Sequence, residues 1–141
     1  MTEKFELDPV LSQDTHKLGM LSDNHFLLSA NALYPWFIIV PPTTEIEFYK
    51  LEKEMQLELL EQINWLSVFI KQSFNSTKLN VATIGNVVSQ LHIHVIGRNP
   101  QDACWPGVVW GNAAFTPYET EQVQDIQQKL VSFPGNIFHL I

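Results

Sequence analysis

The chain has 141 residues, 45% of them apolar, and a formal net charge of -7. That length is enough for one domain, residues 1–141, with a core that needs no cross-links. The negative charge argues against long nucleic acid polymers and anionic membrane surfaces as partners, but a small anionic substrate stays open, because backbone N–H groups and neutral side chains can hold phosphate.

Cys104 is the single cysteine, so no internal disulfide can form, which fits a reducing compartment. The start, "MTEKFELDPV", has no apolar run of the kind a signal peptide carries. The strongest apolar runs, such as "PWFIIV", are far too short to cross a bilayer. The expectation is a cytoplasmic protein.

In chain order, an early strand is expected near 16–22. "HFLLSA" (25–30) and "PWFIIV" (35–40) follow as strands rich in branched and aromatic residues. "PPTTE" ends the second, and Thr44 with Glu47 three residues on has the form of a capping box. A helix is expected over 45–73, with a short break near its start. Its stripe is Phe48, Leu51, Met55, Leu59, Ile63, Leu66 and Ile70, at spacings of three and four. "KLNVATI" (78–84) reads as a strand, "GNVVS" (85–89) as a turn and "QLHIHVIG" (90–97) as a further strand. A long irregular segment leads to a second helix over 117–131, and the tail "FPGNIFHLI" adds packing. Short strands, one long helix and no βαβ rhythm indicate an α+β fold with an antiparallel sheet.

In the strand 90–97, Leu91, Ile93 and Val95 point one way and Gln90, His92 and His94 the other. Two histidines on one strand face admit three readings: polar residues on a solvated face, two ligands of a metal site, or a nucleophile with an assisting partner. A metal site needs a third ligand. His16, His25, His139 and Cys104 are available, but none stands in a ligand-spaced motif, so no metal is expected. A neutral imidazole near pH 7 is a good nucleophile towards phosphorus, and the preceding turn offers N–H groups to an anion. Trp36 is expected in the core or a pocket wall. Trp105 and Trp110 are expected in packing or a dimer contact, Arg98 as a solvated cap or ion pair, and His25 at the surface.

"QLHIHVI" (90–96), with "PWFIIVP", "LNVATIG" and the later "IGR" and "WPG", resembles the histidine triad (HIT) superfamily of nucleotide hydrolases and transferases. The likeness spans about residues 20–111. The last two histidines match and the first is Gln90, as in a bacterial branch similar to diadenosine polyphosphate hydrolases. The resemblance implies a HIT-like fold, an antiparallel sheet of about five strands with two helices, in a homodimer without cofactor. It implies that His92 attacks an α-phosphate and is transiently nucleotidylated, and that His94 contacts the phosphate and helps the leaving group. Gln90 takes the orienting first position, in part through its carbonyl. By the same resemblance Asn31 would hold the ribose, while Asn80, Gly85 and Asn86 would contact phosphate or leaving group. Three positions depart from the family pattern: Gln90 for histidine, Val87 for a hydroxyl residue, and a loop after Asn80 about one residue short. The alternative reading is a nucleotide-binding module with little turnover.

Overall fold

The structure, a computed structural model, describes residues 4–141. The elements are α1 (Pro9–Gln13), β1 (Thr15–Leu21), β2 (Asn24–Ser29), β3 (Trp36–Val40), a 3-10 turn (Phe48–Lys50), α2 (Lys53–Phe74), β4 (Lys78–Ala82), β5 (Ile93–Arg98) and α3 (Thr120–Ser132). The strands form one antiparallel sheet in the order β1-β2-β3-β5-β4. The α+β architecture is therefore the expected one, with α1 added.

Helix α1 grows from "DPV": Asp8 is its N-cap, its carboxylate accepting from the Val10 N–H at 2.8 Å, and Pro9 sits in the first turn. The expected helix 45–73 is shorter, starting at Lys53. Thr44 and Glu47 form no capping box; instead Thr43 Oγ1 accepts from the Glu45 N–H at 3.0 Å, and Glu47 makes no side-chain cap. Phe48 and Leu51 owe their spacing of three to the 3-10 turn, whose period is three. The second helix runs over Thr120–Ser132, behind a capping box between Glu119 and Gln122.

Both faces of the sheet are covered. On one, α2, α3 and the tail bury Leu59, Leu66, Phe69, Ile70, Ile126, Leu130 and Phe138 against Phe26, Phe37, Ile93 and Val95. Full burial of such a side chain contributes about 1.5–3 kcal/mol. The tail is tied by backbone bonds between Met20 and His139. α2 also buries Gln62, which accepts from Asn24 Nδ2 at 2.8 Å, so neither amide is left unpaired.

On the other face lie two smaller clusters. Leu11, Leu27, Ile38 and Val40 gather under the N-terminal segment with Phe5 and Leu7. Tyr34, Ile96 and Val109 gather under the segment that follows β5, with Trp110. Trp36 packs against both clusters, and His94 pairs with Ile38 on β3 and Ala82 on β4. The histidine face is thus the seam between two apolar covers.

Candidate active site

His94 lies within β5, whereas Gln90, Leu91 and His92 precede the ladder, which starts at Ile93. Leu91, Ile93 and Val95 turn into the main core as the alternation requires. His92 and His94 are each only 6% exposed, so the solvated-face reading fails. Their rings stand 4.8 Å apart at 68°.

Among the described residues each imidazole has one Nδ1 partner, and the partners differ in kind. His92 Nδ1 lies 2.6 Å from the Gln90 carbonyl oxygen, which only accepts, so the neutral ring carries its proton on Nδ1 and leaves the Nε2 lone pair free. His94 Nδ1 accepts from Trp36 Nε1 at 2.9 Å; an indole N–H only donates, so the neutral His94 carries its proton on Nε2. Burial, reinforced by His92, pulls the His94 pKa down to about 4 and keeps it neutral near pH 7. The edge of Trp110, 5.0 Å away at 86°, closes the other side of the His94 ring. One nucleophilic nitrogen and one N–H donor thus sit side by side.

A cavity of about 300 Å³ opens beside His94, at the lower end for a small-molecule site. His94, Trp36, Ile38, Val87 and Val88 line it on one side; Val10, Leu11, Asp14, Thr15 and Ser29 complete it. The contribution of α1 went unread in the sequence, although "DPV" is a helix-start signal that could have found it. Trp36 is both pocket wall and hydrogen-bond partner.

The remaining expected site residues are dispersed. Gly85 has φ +70, a left-handed conformation that suits glycine, and turns the loop back towards Val88. Asn86 is exposed on that loop. Asn31 is committed to its surroundings: Oδ1 accepts from the Leu33 and Thr116 N–H groups at 3.2 and 3.3 Å, and Nδ2 donates to the Ala114 carbonyl at 3.1 Å. Asn80 Oδ1 accepts from Arg98 Nη1 at 2.9 Å.

Arg98 is an ion pair but not a solvated cap, at 2% exposure. Nε and Nη2 reach Asp102 at 2.7 and 3.1 Å, and Nη2 also donates to the Gly107 carbonyl at 2.8 Å. Burial alone would raise the Asp102 carboxyl, but Arg98 and the Cys104 and Asn99 N–H groups hold it below its ordinary range. Tyr34 and Trp105 rings each lie 5.7 Å from the guanidinium carbon. This knot fixes the segment that carries Trp110. Trp110 therefore packs within its own chain, against His94 and Trp36. His25 is half-buried rather than superficial, with Nδ1 shut from solvent and without a hydrogen-bond partner among the described residues. Among the described residues no three His, Cys, Asp or Glu side chains converge as metal ligands would. Nor is any helix among them long and apolar enough to cross a membrane.

No curated protein matches the chain by sequence. Among the similar solved structures, three match over nearly their whole lengths. A histidine triad protein from Marinobacter aquaeolei VT8 shares 41% identity with a TM-score of 0.84, covering 89% of this chain and 93% of its own. One from Bradyrhizobium japonicum shares 33% with a TM-score of 0.87, covering 92% and 97%. One from Sinorhizobium meliloti 1021 shares 31% with a TM-score of 0.87, covering 92% and 96%. The HIT domain model matches residues 11–101, which takes in the whole sheet, α2 and both histidines. With that match and those relatives, the chain belongs to the HIT domain family.

Proposed function

We propose that this HIT protein is a nucleotide hydrolase or nucleotidyl transferase that cleaves a phosphoanhydride or phosphoramidate bond at an α-phosphate, within the branch that carries Gln at the first triad position. The observation that carries the reading is the pair of opposite tautomers, set by the Gln90 carbonyl on His92 and the Trp36 indole on His94. His92 Nε2 attacks phosphorus with its lone pair. A P–N bond forms, the bond to the leaving group breaks, and the leaving group departs with the electron pair. The ring becomes cationic, and the Gln90 carbonyl facing Nδ1–H stabilises that charge. His94 Nε2–H donates a hydrogen bond to a phosphate oxygen or to the leaving atom. Water then attacks phosphorus in the hydrolase, the P–N pair returns to Nε2, and a nucleoside monophosphate is released.

The apolar walls of the cavity suit a nucleobase, with the phosphate at its His94 end. We assign ribose contact to Ser29 and Asp14, which line the cavity, rather than to Asn31, whose carboxamide is engaged at both ends. Gly85 and Asn86 present the loop to the phosphates, and Asn80 acts through Arg98. Substrates are small nucleotides, and we expect a homodimer acting in the cytoplasm. The second reading, a binding module with little turnover, draws on Val87, which is 92% exposed and brings no hydroxyl to the loop.

A panel of dinucleoside polyphosphates, nucleoside phosphoramidates and adenylylated adducts, run with and without chelator, tests the activity. Intact-protein mass spectrometry of quenched enzyme should show one nucleotidyl addition on His92. His92→Ala should bind nucleoside monophosphate yet lose nearly all turnover, since the covalent route disappears with it. Turnover within a few-fold of wild type in that variant would end the nucleophile assignment.

A further inference from the structure

We propose that the Gln90 side chain latches an N-terminal strap, residues 4–8, that holds α1, one wall of the nucleoside cavity, in place, which makes Gln90 a positioning residue for binding rather than for the chemical step. The inference deepens the function proposed above and rests on that reading for its substrate. Gln90 Oε1 accepts from the Asp8 N–H at 2.8 Å, and Gln90 Nε2 donates to the Glu6 carbonyl at 2.9 Å. A carboxamide carries the same donor and acceptor as a peptide group, so Gln90 pairs with the strap as a second strand would. The two bonds join positions 82 and 84 residues apart in sequence.

The strap leads directly into the cavity wall. Asp8, held through its N–H, is also the N-cap of α1, and α1 supplies Val10 and Leu11 to the wall, with Asp14 at its end. A helix of five residues is far too short to hold itself. Its position depends on what surrounds it: the latch and the packing of Phe5 and Leu7 beside Leu11 and Ile38 at its start, and at its end the Thr15 hydroxyl donating to the Leu11 carbonyl at 2.6 Å and the Ala30 N–H donating to the Asp14 carbonyl at 3.0 Å. The other duty of Gln90, accepting from His92 Nδ1, belongs to its backbone carbonyl and survives any change of side chain. Binding and chemistry are thus divided between the two halves of one residue. An imidazole at this position has one N–H and one lone pair on diverging sides of a rigid ring, and cannot serve Glu6 and Asp8 together.

Three variants of the full-length chain test this: Gln90→Ala, Gln90→His and Gln90→Leu, the last filling the space without either bond. Hydrogen exchange should show faster exchange across residues 4–14, with the sheet unchanged. Binding of AMP and GMP should weaken roughly three- to thirtyfold, the range expected when two ordinary hydrogen bonds cease to hold the competent wall. With a nucleoside phosphoramidate, KM should rise by a like factor while kcat stays within about threefold of wild type. Exchange across 4–14 equal to wild type would overturn the latch, as would faster exchange with AMP and GMP affinity unchanged. A fall in kcat at constant KM would overturn the division of duties. Looser exchange and weaker AMP binding, in a protein that turns over no nucleotide, would uphold the strap while removing the hydrolase reading.

Discussion

His94→Gln should make the stability of the protein less sensitive to acid. In wild type the folded-state pKa of His94 is lowered from 6.5 to about 4, by burial first and by His92 second. Between those values the unfolded chain binds a proton that the native state refuses, so stability is retained above pH 6.5 and lost as pH falls towards 4. At 1.36 kcal/mol per pKa unit, the whole loss is about 3 kcal/mol, and about 2 kcal/mol of it has accrued by pH 5. Glutamine cannot titrate, and its Oε1 can still accept from Trp36 Nε1–H. Urea unfolding followed by tryptophan fluorescence at pH 7.5 and pH 5 gives the change for each protein. Carboxylates and His25 titrate in both and cancel, so the fall in stability on acidification should be smaller in His94→Gln by about 2 kcal/mol. Equal falls in the two proteins would refute the claim that His94 is held neutral in the folded state.

Trp36→Phe keeps an aromatic wall and removes the indole N–H that donates to His94 Nδ1; long-range 15N NMR should show the single Nε2–H tautomer replaced by a mixture, and an unchanged spectrum would mean that Trp36 does not set it. Asp102→Ala strands a guanidinium of 2% exposure and should cost about 3–5 kcal/mol in denaturant unfolding; a cost under 1 kcal/mol would mean that the pair behaves as a surface one. Gly97→Ala puts a methyl group against Ser76 Oγ and within 2.7 Å of Ile70 and Pro35 side-chain carbons, so calorimetry should register a loss of about 1–3 kcal/mol, and an unchanged melting temperature would show that these three neighbours give way without cost.

The sheet was legible because its strands are dense in branched and aromatic residues and because β5 alternates. His92 and His94 could be placed on one face from that alternation alone. The start of α2 was not legible, since Phe48 and Leu51 satisfy a 3-10 period as well as an α-helical one. Arg98 illustrates a second limit. Its partners Asp102, Asn80 and the Gly107 carbonyl come together only when β4, β5 and the following turn are assembled, and nothing local distinguishes it from a solvated strand end. For Gln90 the residue type was informative and its destination was not. The side chain turns to a segment more than 80 residues away, and a pairing at that distance has no periodicity to announce it. Asn31 could be read as a turn residue from composition, but its grip on the 114–116 segment depends on the folded loop.

The engagement of Arg98 has a bearing on product. All three guanidinium nitrogens are spent on Asp102, Asn80 and Gly107, and the cavity beside His94 is lined by no lysine or arginine among the described residues. The phosphate end of the site is therefore furnished with neutral dipoles. For the reaction proposed, the bridging α-phosphate of a substrate carries a single negative charge, while the monophosphate released carries close to two near pH 7. Fixed dipoles can hold the first, whereas the second gains a charge for which the pocket has no counter-ion. The arrangement favours expulsion of the nucleotide it makes, so inhibition by accumulated monophosphate should be weak, and should strengthen only where the product meets the site protonated.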